Sequence, residues 1–275
     1  MSYKTILVHC DAGKMTRDRV AIAAELAGRF DAHLVGLHVR QRFEAPMFSD
    51  ATVALDALYR TYEQAVKTEE AASSAAFRDA LAGKRGSSDW RVVDGYAEEN
   101  LTAAARYADL VVVGQPEPDP VPESTPSDLP EKLALHGERP VLVVPHIGAT
   151  QPGRTVMVCW NGRREASRAV TGALPLLKAA ERVIVLTIDA EKTDEPEAAK
   201  QAGAWLARHG VKATVQSDSA TATDVGNVIL SRAADAAVDL IVMGIYGHSR
   251  MREFVLGGAS RTLLASMTVP LLIAH

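Results

Sequence analysis

The sequence has few of the features that would direct a protein to a membrane or to nucleic acid. Aromatic residues make up only 5% of the 275 residues, the net charge is -4 at pH 7, and no apolar run is long enough to span a bilayer. This charge gives no general attraction to nucleic acid or to anionic lipid. The first apolar run is only as long as a β-strand, which is not the organisation of a signal peptide. We therefore expect a cytoplasmic protein with neither nucleic acid nor membrane as a partner.

Cysteines and catalytic motifs are also scarce. Only Cys10 and Cys159 are present, both in predicted buried strands, and we interpret them as small core residues in a reducing compartment. The sequence contains no G-x-S-x-G elbow, no H-E-x-x-H and no cysteine with an obvious histidine partner. The histidines do not have the spacing of a metal site. The residues therefore give no reason to expect an enzyme or a metalloprotein.

What the sequence does contain is an internal repeat. ADLVVVG at 108–114 is matched by VDLIVMG at 238–244, 130 residues later, and RPVLVVPH at 139–146 is matched by TVPLLIAH at 268–275, in which Pro140 and Pro270 are also 130 residues apart. The opening strands, KTILVH at 4–9 and RTVMVC at 154–159, are 150 residues apart. We predict two domains, residues 1–148 and 149–275, joined by a linker at Gly148 to Gly153.

Each copy alternates five short apolar runs with about four helical patterns, apart from a stretch at 115–130 with six prolines. This order predicts the α/β class, with two tandem open parallel sheets that are flavodoxin-like or adenine-nucleotide-hydrolase-like and carry helices on both faces. In such sheets ligands bind beyond the carboxyl ends of the strands, where the strand order reverses. The first and fourth strands should be neighbours there.

The stretch at 238–260, VDLIVMGIYGHSRMREFVLGGAS, has two glycine clusters around one loop. Gly244 ends an apolar strand, Gly247 follows three residues later, and Gly257 and Gly258 precede a helical pattern. Glycine lets a ligand approach the backbone closely, and a helix start offers free N–H groups to an anion. The stretch is a candidate phosphate cradle, although glycines after a strand also fit an ordinary turn.

This stretch resembles the glycine motif of the universal stress protein family, which is G-x-x-G, nine residues, then Gly followed by Ser or Thr. Gly244, Gly247 and Gly257 match every interval, while Gly258 stands where ATP-binding members carry Ser or Thr, with Ser260 close by. The resemblance covers both halves, so the chain is similar to a tandem member. It implies a stress-response protein with ATP, bound with Mg, as its possible ligand.

The two halves divide the features of the family's site between them. In the family the first strand ends in an Asp that helps to hold the nucleotide, and this position is Asp11 in the first half and Asn161 in the second. The first half lacks the glycine loop, so we expect at most one adenine-nucleotide site, in the second half. The candidate binding residues are Trp160, Asn161, Gly244, Gly247, His248, Gly257, Gly258 and Ser260.

Several of these residues have a second interpretation. Asp11 and Asn161 would serve equally as turn or capping residues at the start of a helix. Trp160 would either stack on adenine or fill the space beside it. His248 lies in a loop that would either meet phosphate oxygens or remain a solvated basic loop.

The function predicted from the resemblance is a non-enzymatic, nucleotide-responsive regulatory or protective module, with at most weak ATP hydrolysis and an unidentified protein partner. The alternatives are an interaction scaffold without nucleotide and a pocket for another small molecule beside Trp160. In the family the last strand forms the dimer contact. We therefore expect Val141 to Val144 and Leu271 to Ile273 to pair as an intramolecular pseudo-dimer, with further homodimer formation left open.

Overall fold

The computed structural model describes residues 2–43, 52–84, 86–116, 128–149, 151–188, 195–220, 224–246 and 258–275. Most of the proline-rich stretch and most of the glycine loop lie outside these ranges. The elements of the first half are β1 Thr5–His9, α1 Thr16–Phe30, β2 His33–Arg40, α2 Thr52–Leu81, β3 Ser88–Asp94, α3 Ala97–Ala105, β4 Leu110–Gly114, α4 Leu129–His136 and β5 Val141–Val144. Those of the second half are β6 Thr155–Cys159, α5 Arg164–Ala179, β7 Arg182–Ile188, α6 Glu195–Arg208, β8 Ala213–Asp218, α7 Val225–Asp235, β9 Leu240–Gly244, α8 Gly258–Ser266 and β10 Leu271–Ala274.

All these strands form one ten-stranded sheet in the order β3-β2-β1-β4-β5-β10-β9-β6-β7-β8. The strands of each half are parallel, whereas β5 and β10 pair in antiparallel fashion, with Leu142 opposite Leu272. The pairing expected of the two last strands is therefore present. The predicted α/β class, with five parallel strands in each half, is confirmed.

Helices cover both faces of the sheet. Helices α1, α2, α5 and α6 pack on one face, and α3, α4, α7 and α8 on the other. Central strands are apolar on both sides for this reason, and β4 (LVVVG) is buried along its whole length. The outer strands β3 and β8 are largely exposed and more polar. Within the described residues, no helix is both long enough and apolar enough to cross a bilayer.

The repeat has a physical basis in two equivalent aspartates, one directly before the fourth strand of each half. The Asp109 carboxylate accepts hydrogen bonds from the backbone N–H groups of Lys4 and Thr5, at 2.7 and 2.9 Å. Asp239 does the same for residues 153 to 155, at distances of 2.8 to 3.1 Å. Each aspartate satisfies the N–H groups at the start of its first strand, which fixes that strand beside the fourth.

Side chains also connect the two halves beyond the strand junction. The Tyr3 hydroxyl donates to the Gly172 carbonyl of α5 at 2.7 Å. Gln115, which is buried directly after β4, donates from Nε2 to the Leu264 carbonyl of α8 at 2.8 Å, and its Oε1 accepts from the His146 N–H at 3.0 Å. These contacts order the junction, because each buried polar group has a partner from another element.

Candidate nucleotide site

The candidate site lies at the carboxyl ends of β6 and β9. These strands pair in parallel, with Cys159 opposite Met243, so Trp160 directly follows β6 beside Gly244, the last residue of β9. The two loops therefore leave the sheet side by side, as the sequence predicts. Of the eight candidate residues, Trp160, Asn161, Gly244, Gly258 and Ser260 are described. Gly247, His248 and Gly257 lie outside the described residues.

Gly244 allows a helix to approach the end of β9. A Cβ atom at this position would overlap the backbone of Glu165 and Ala166 in the first turn of α5. No side chain fits there, so this glycine has a packing role that does not depend on a ligand. The absence of a side chain at Gly244 still brings the amino terminus of α5 next to the end of β9.

Helix α8 begins at Gly258, which is exposed, and Ser260 is buried in its first turn. The first N–H groups of a helix have no partner inside the helix and favour negative charge. A carboxylate lies beside this helix start, since Asp224 Oδ1 is 3.2 Å from where a Cβ of Gly258 would be. Asp224 is the N-cap of α7, and its Oδ2 accepts from the Gly226 N–H at 2.9 Å.

Asn161 and its counterpart Asp11 both shape a turn. Asn161 Oδ1 accepts from the Arg163 N–H at 3.1 Å, and Asp11 Oδ1 accepts from the Gly13 N–H at 3.0 Å. This is the geometry of an Asx turn, in which the side chain bonds to the backbone two residues later. Both residues therefore direct the chain from the first strand of their half into its first helix.

Glu165, a carboxylate in the first turn of α5, is not among the residues predicted from the sequence. Its side chain is 6% exposed and accepts from Arg164 Nε at 2.5 Å. Burial acts to raise the pKa of Glu165, but hydrogen bonds from Arg164 and from its own backbone outweigh burial and lower it. An acid in the first turn of a helix is favoured by the helix dipole, which is the signal that could have identified it. The second half thus keeps a negative charge at this edge although residue 161 is neutral.

The corresponding crevice of the first half is filled by Arg19 from α1. The Arg19 side chain is 4% exposed, and a Cβ at Gly114 would overlap its Nη1. Nη2 donates to Asp11 Oδ1 at 2.7 Å and to Thr16 Oγ1 at 2.9 Å, and Nε donates to the His9 carbonyl at 2.8 Å. We call His9, Asp11, Thr16 and Arg19 the Arg19 cluster.

The Arg19 cluster is electrically balanced. Burial, helped by the charge of Arg19 and by His38, lowers the pKa of His9 to about 4, against an opposing effect of Asp11. His9 is therefore neutral near pH 7, and the carboxylate of Asp11 compensates the guanidinium of Arg19. The first half therefore holds its own cation and its own acid at the carboxyl end of its first strand.

Trp160 points away from the other candidate residues of the second half. Its indole packs with the core on the face of α5 and α6, whereas Gly258 and Ser260 belong to α8 on the opposite face. The indole Nε1 is buried and has no hydrogen-bond partner among the described residues. Trp160 lines a cavity between α5 and α6. The structure thus divides the predicted residues between two regions.

Comparisons with known proteins agree with this architecture. The model of the universal stress protein family matches residues 2–145 and 153–275. A universal stress protein from Archaeoglobus fulgidus DSM 4304 has a similar structure, with a TM-score of 0.69 at 16% identity over 98% of this chain and 97% of its own. A functionally unknown protein from Pseudomonas aeruginosa PAO1 has a TM-score of 0.57 at 15% identity, over 99% of this chain and 92% of its own.

At these identities the solved structures show the fold alone, and none of the curated proteins matches the chain. The family model, however, matches nearly the whole sequence and does so twice, once in each half. The chain belongs to the universal stress protein family, with one family domain in each half.

Proposed function

We propose that the chain is a nucleotide-responsive regulatory module of the stress response that binds one adenine nucleotide, ATP with Mg²⁺, in its second half. The main support is the start of α8 at Gly258, an exposed helix amino terminus beside the end of β9. The first half has Arg19 in the matching crevice and would bind none.

The residues present fit a nucleotide in part. The phosphates would meet the N–H groups at the start of α8 and the hydroxyl of Ser260, while Asn161 and Glu165 would face the ribose. Asp224 beside Gly258 opposes a bare phosphate, because its carboxylate carries the same charge. Mg²⁺ would offset this repulsion, since carboxylates and phosphates together are the oxygen ligands that it prefers.

The test uses Asp224 as an electrostatic probe of the phosphate position. In the Asp224→Asn variant the side chain still caps α7, since Asn and Asp are equally good N-caps, but the negative charge is gone. At about 6 Å and an effective dielectric constant of about 40, one charge pair contributes roughly 1.4 kcal/mol. After screening by salt, ATP measured in EDTA should bind about fivefold more tightly to the variant.

Asp235→Asn, at the other end of α7, removes the same charge and is the matched control, for which we expect unchanged affinity. Calorimetric titration of ATP, with EDTA and with Mg²⁺, measures both. Unchanged affinity of Asp224→Asn in EDTA would place the phosphates elsewhere. A wild-type protein that binds neither ATP nor Mg-ATP would overturn the nucleotide proposal and favour the interaction scaffold.

A further inference from the structure

A cavity of about 540 Å³ lies between α5 and α6 of the second half, on the opposite face of the sheet from α8. We call it the α5/α6 cavity. Its floor is formed by Val158 of β6 and Val185 of β7, and two indoles, Trp160 and Trp205, belong to its wall. Small-molecule sites in proteins have volumes of about 300–1,000 Å³, so the size is that of a ligand site.

The first half fills the corresponding space with its own aromatic side chains. Phe77 of α2 lies directly on Gly36 of β2, where an added Cβ would overlap the phenyl ring. Trp90 of β3 packs against Phe77, with ring centroids 5.4 Å apart. Helix α2 also packs closely along α1 in this half.

The second half has smaller residues at the matching positions. In the strand register, Val185 takes the place of Gly36, and Val215 takes the place of the tryptophan in the outer strand. Ala202 lies thirteen residues before Val215, as the phenylalanine lies thirteen residues before the tryptophan. Ala202 lines the cavity with only a methyl group. The cavity therefore results from the loss of an aromatic filling that the same fold has in its other half.

The polar groups of the cavity favour a ligand with hydrogen-bond acceptors. Ser167, Gln201 and Arg208 supply donors, and none of the described residues that line the cavity is acidic. In the described part of the chain, Arg208 has no ion-pair partner. This lining would accept an anion and disfavour a cation.

We propose that the α5/α6 cavity binds a flat aromatic acid of two or three rings. The ring system packs between the helices against the two indoles, and the acidic group at one end meets Arg208. Arg208 suits the acidic end, because it is the last residue of α6 and leaves the rest of the cavity to the rings. This site goes beyond the proposed nucleotide function and does not depend on it.

The first test is calorimetric titration, without nucleotide, of 6-hydroxy-2-naphthoate, which has a hydroxyl and a carboxylate at opposite ends. Ala202→Phe restores the ring that fills the first half and should weaken binding by at least about thirtyfold. Ala207→Phe places the same ring on the exposed side of the same helix and should bind like the wild type. The Ala202→Phe variant should also unfold at an unchanged or higher temperature, because it fills a void.

A second comparison tests the contact with Arg208 and does not depend on Ala202. Arg208→Gln should weaken 6-hydroxy-2-naphthoate about fivefold and leave 2-naphthol, which lacks the carboxylate, unaffected. Absence of wild-type binding at about 1 mM, equal binding by Ala202→Phe, or an equal effect of Arg208→Gln on both compounds would overturn the proposal.

Discussion

The ion pair between Asp11 and Arg19 can be tested by a double-mutant cycle. Asp11→Asn keeps an oxygen for the turn and for Thr16, but it leaves Arg19 as a buried cation without a counter-charge. The side chains are only 12% and 4% exposed, so water compensates little. Removal of one partner of a buried pair costs about 3–5 kcal/mol. We expect about 3 kcal/mol for Asp11→Asn, because the amide retains part of the hydrogen bonding.

Arg19→Met removes the cation, keeps an apolar side chain beside Gly114, and should cost about 2–3 kcal/mol, because Asp11 still accepts from Gly13 and Thr16. The double variant leaves no unpaired charge. Its free energy of unfolding should therefore fall by at least about 2 kcal/mol less than the sum of the single effects.

Urea unfolding in a background without Trp160 and Trp205 reports on the first half, because Trp90 is then the only tryptophan. The separate signal matters since a two-domain chain need not unfold in one step. If each single substitution lowered the free energy of unfolding by less than about 1 kcal/mol, and the two losses were simply additive in the double variant, Asp11 and Arg19 would behave as a solvated surface pair. That result would refute the conclusion that Arg19 fills the first-half crevice.

Two further predictions concern stability. Burial lowers the pKa of His9 to about 4 in the folded chain, whereas the ordinary pKa of a histidine is 6.5. Between these two pH values the imidazole takes up a proton in the unfolded chain but not in the folded chain. The contribution of His9 to the free energy of unfolding is therefore fully present above pH 6.5, and about 3 kcal/mol is lost as the pH falls towards 4. His9→Gln should lose less over this window in urea titrations at pH 7 and 4.5, and an equal loss would contradict the argument. Asp239→Ala leaves three N–H groups without their acceptor and should cost about 2 kcal/mol in thermal unfolding, whereas Asp239→Asn should cost less. If Asp239→Ala matched the exposed control Asp235→Ala, the assigned role of Asp239 would be wrong.

The fold could be predicted from the sequence because its signals are local or repeated. Apolar runs such as LVVVG indicate strands buried on both sides, and the 130-residue offset indicates two equivalent halves. The pairing of the last strands was predicted from two sources together: each is apolar and would otherwise be an exposed edge, and the family that the chain resembles uses this strand as its dimer contact.

The candidate sites were less predictable, because they depend on which residues meet across the fold. Arg19 reads as one of several polar residues in TRDRV, and its burial follows from its contact with Gly114, 95 residues away in sequence. Ala202 is one alanine among many in α6, and only the helix packing makes it the wall of a cavity. Glycine spacing located the loop after β9, but a spacing pattern does not give the carboxylate of Asp224 beside it.

The antiparallel junction of β5 and β10 gives the molecule two opposite poles. Since the strands of one half run against those of the other, the carboxyl ends of the two sets open on opposite margins of the sheet. The Arg19 cluster closes one pole, and the start of α8 stands at the other. The candidate residues of the two halves therefore lie on opposite margins and cannot meet around one nucleotide. Under the proposed function, any effect of a nucleotide at the start of α8 on the Arg19 cluster would have to pass along the strands and through the β5–β10 junction.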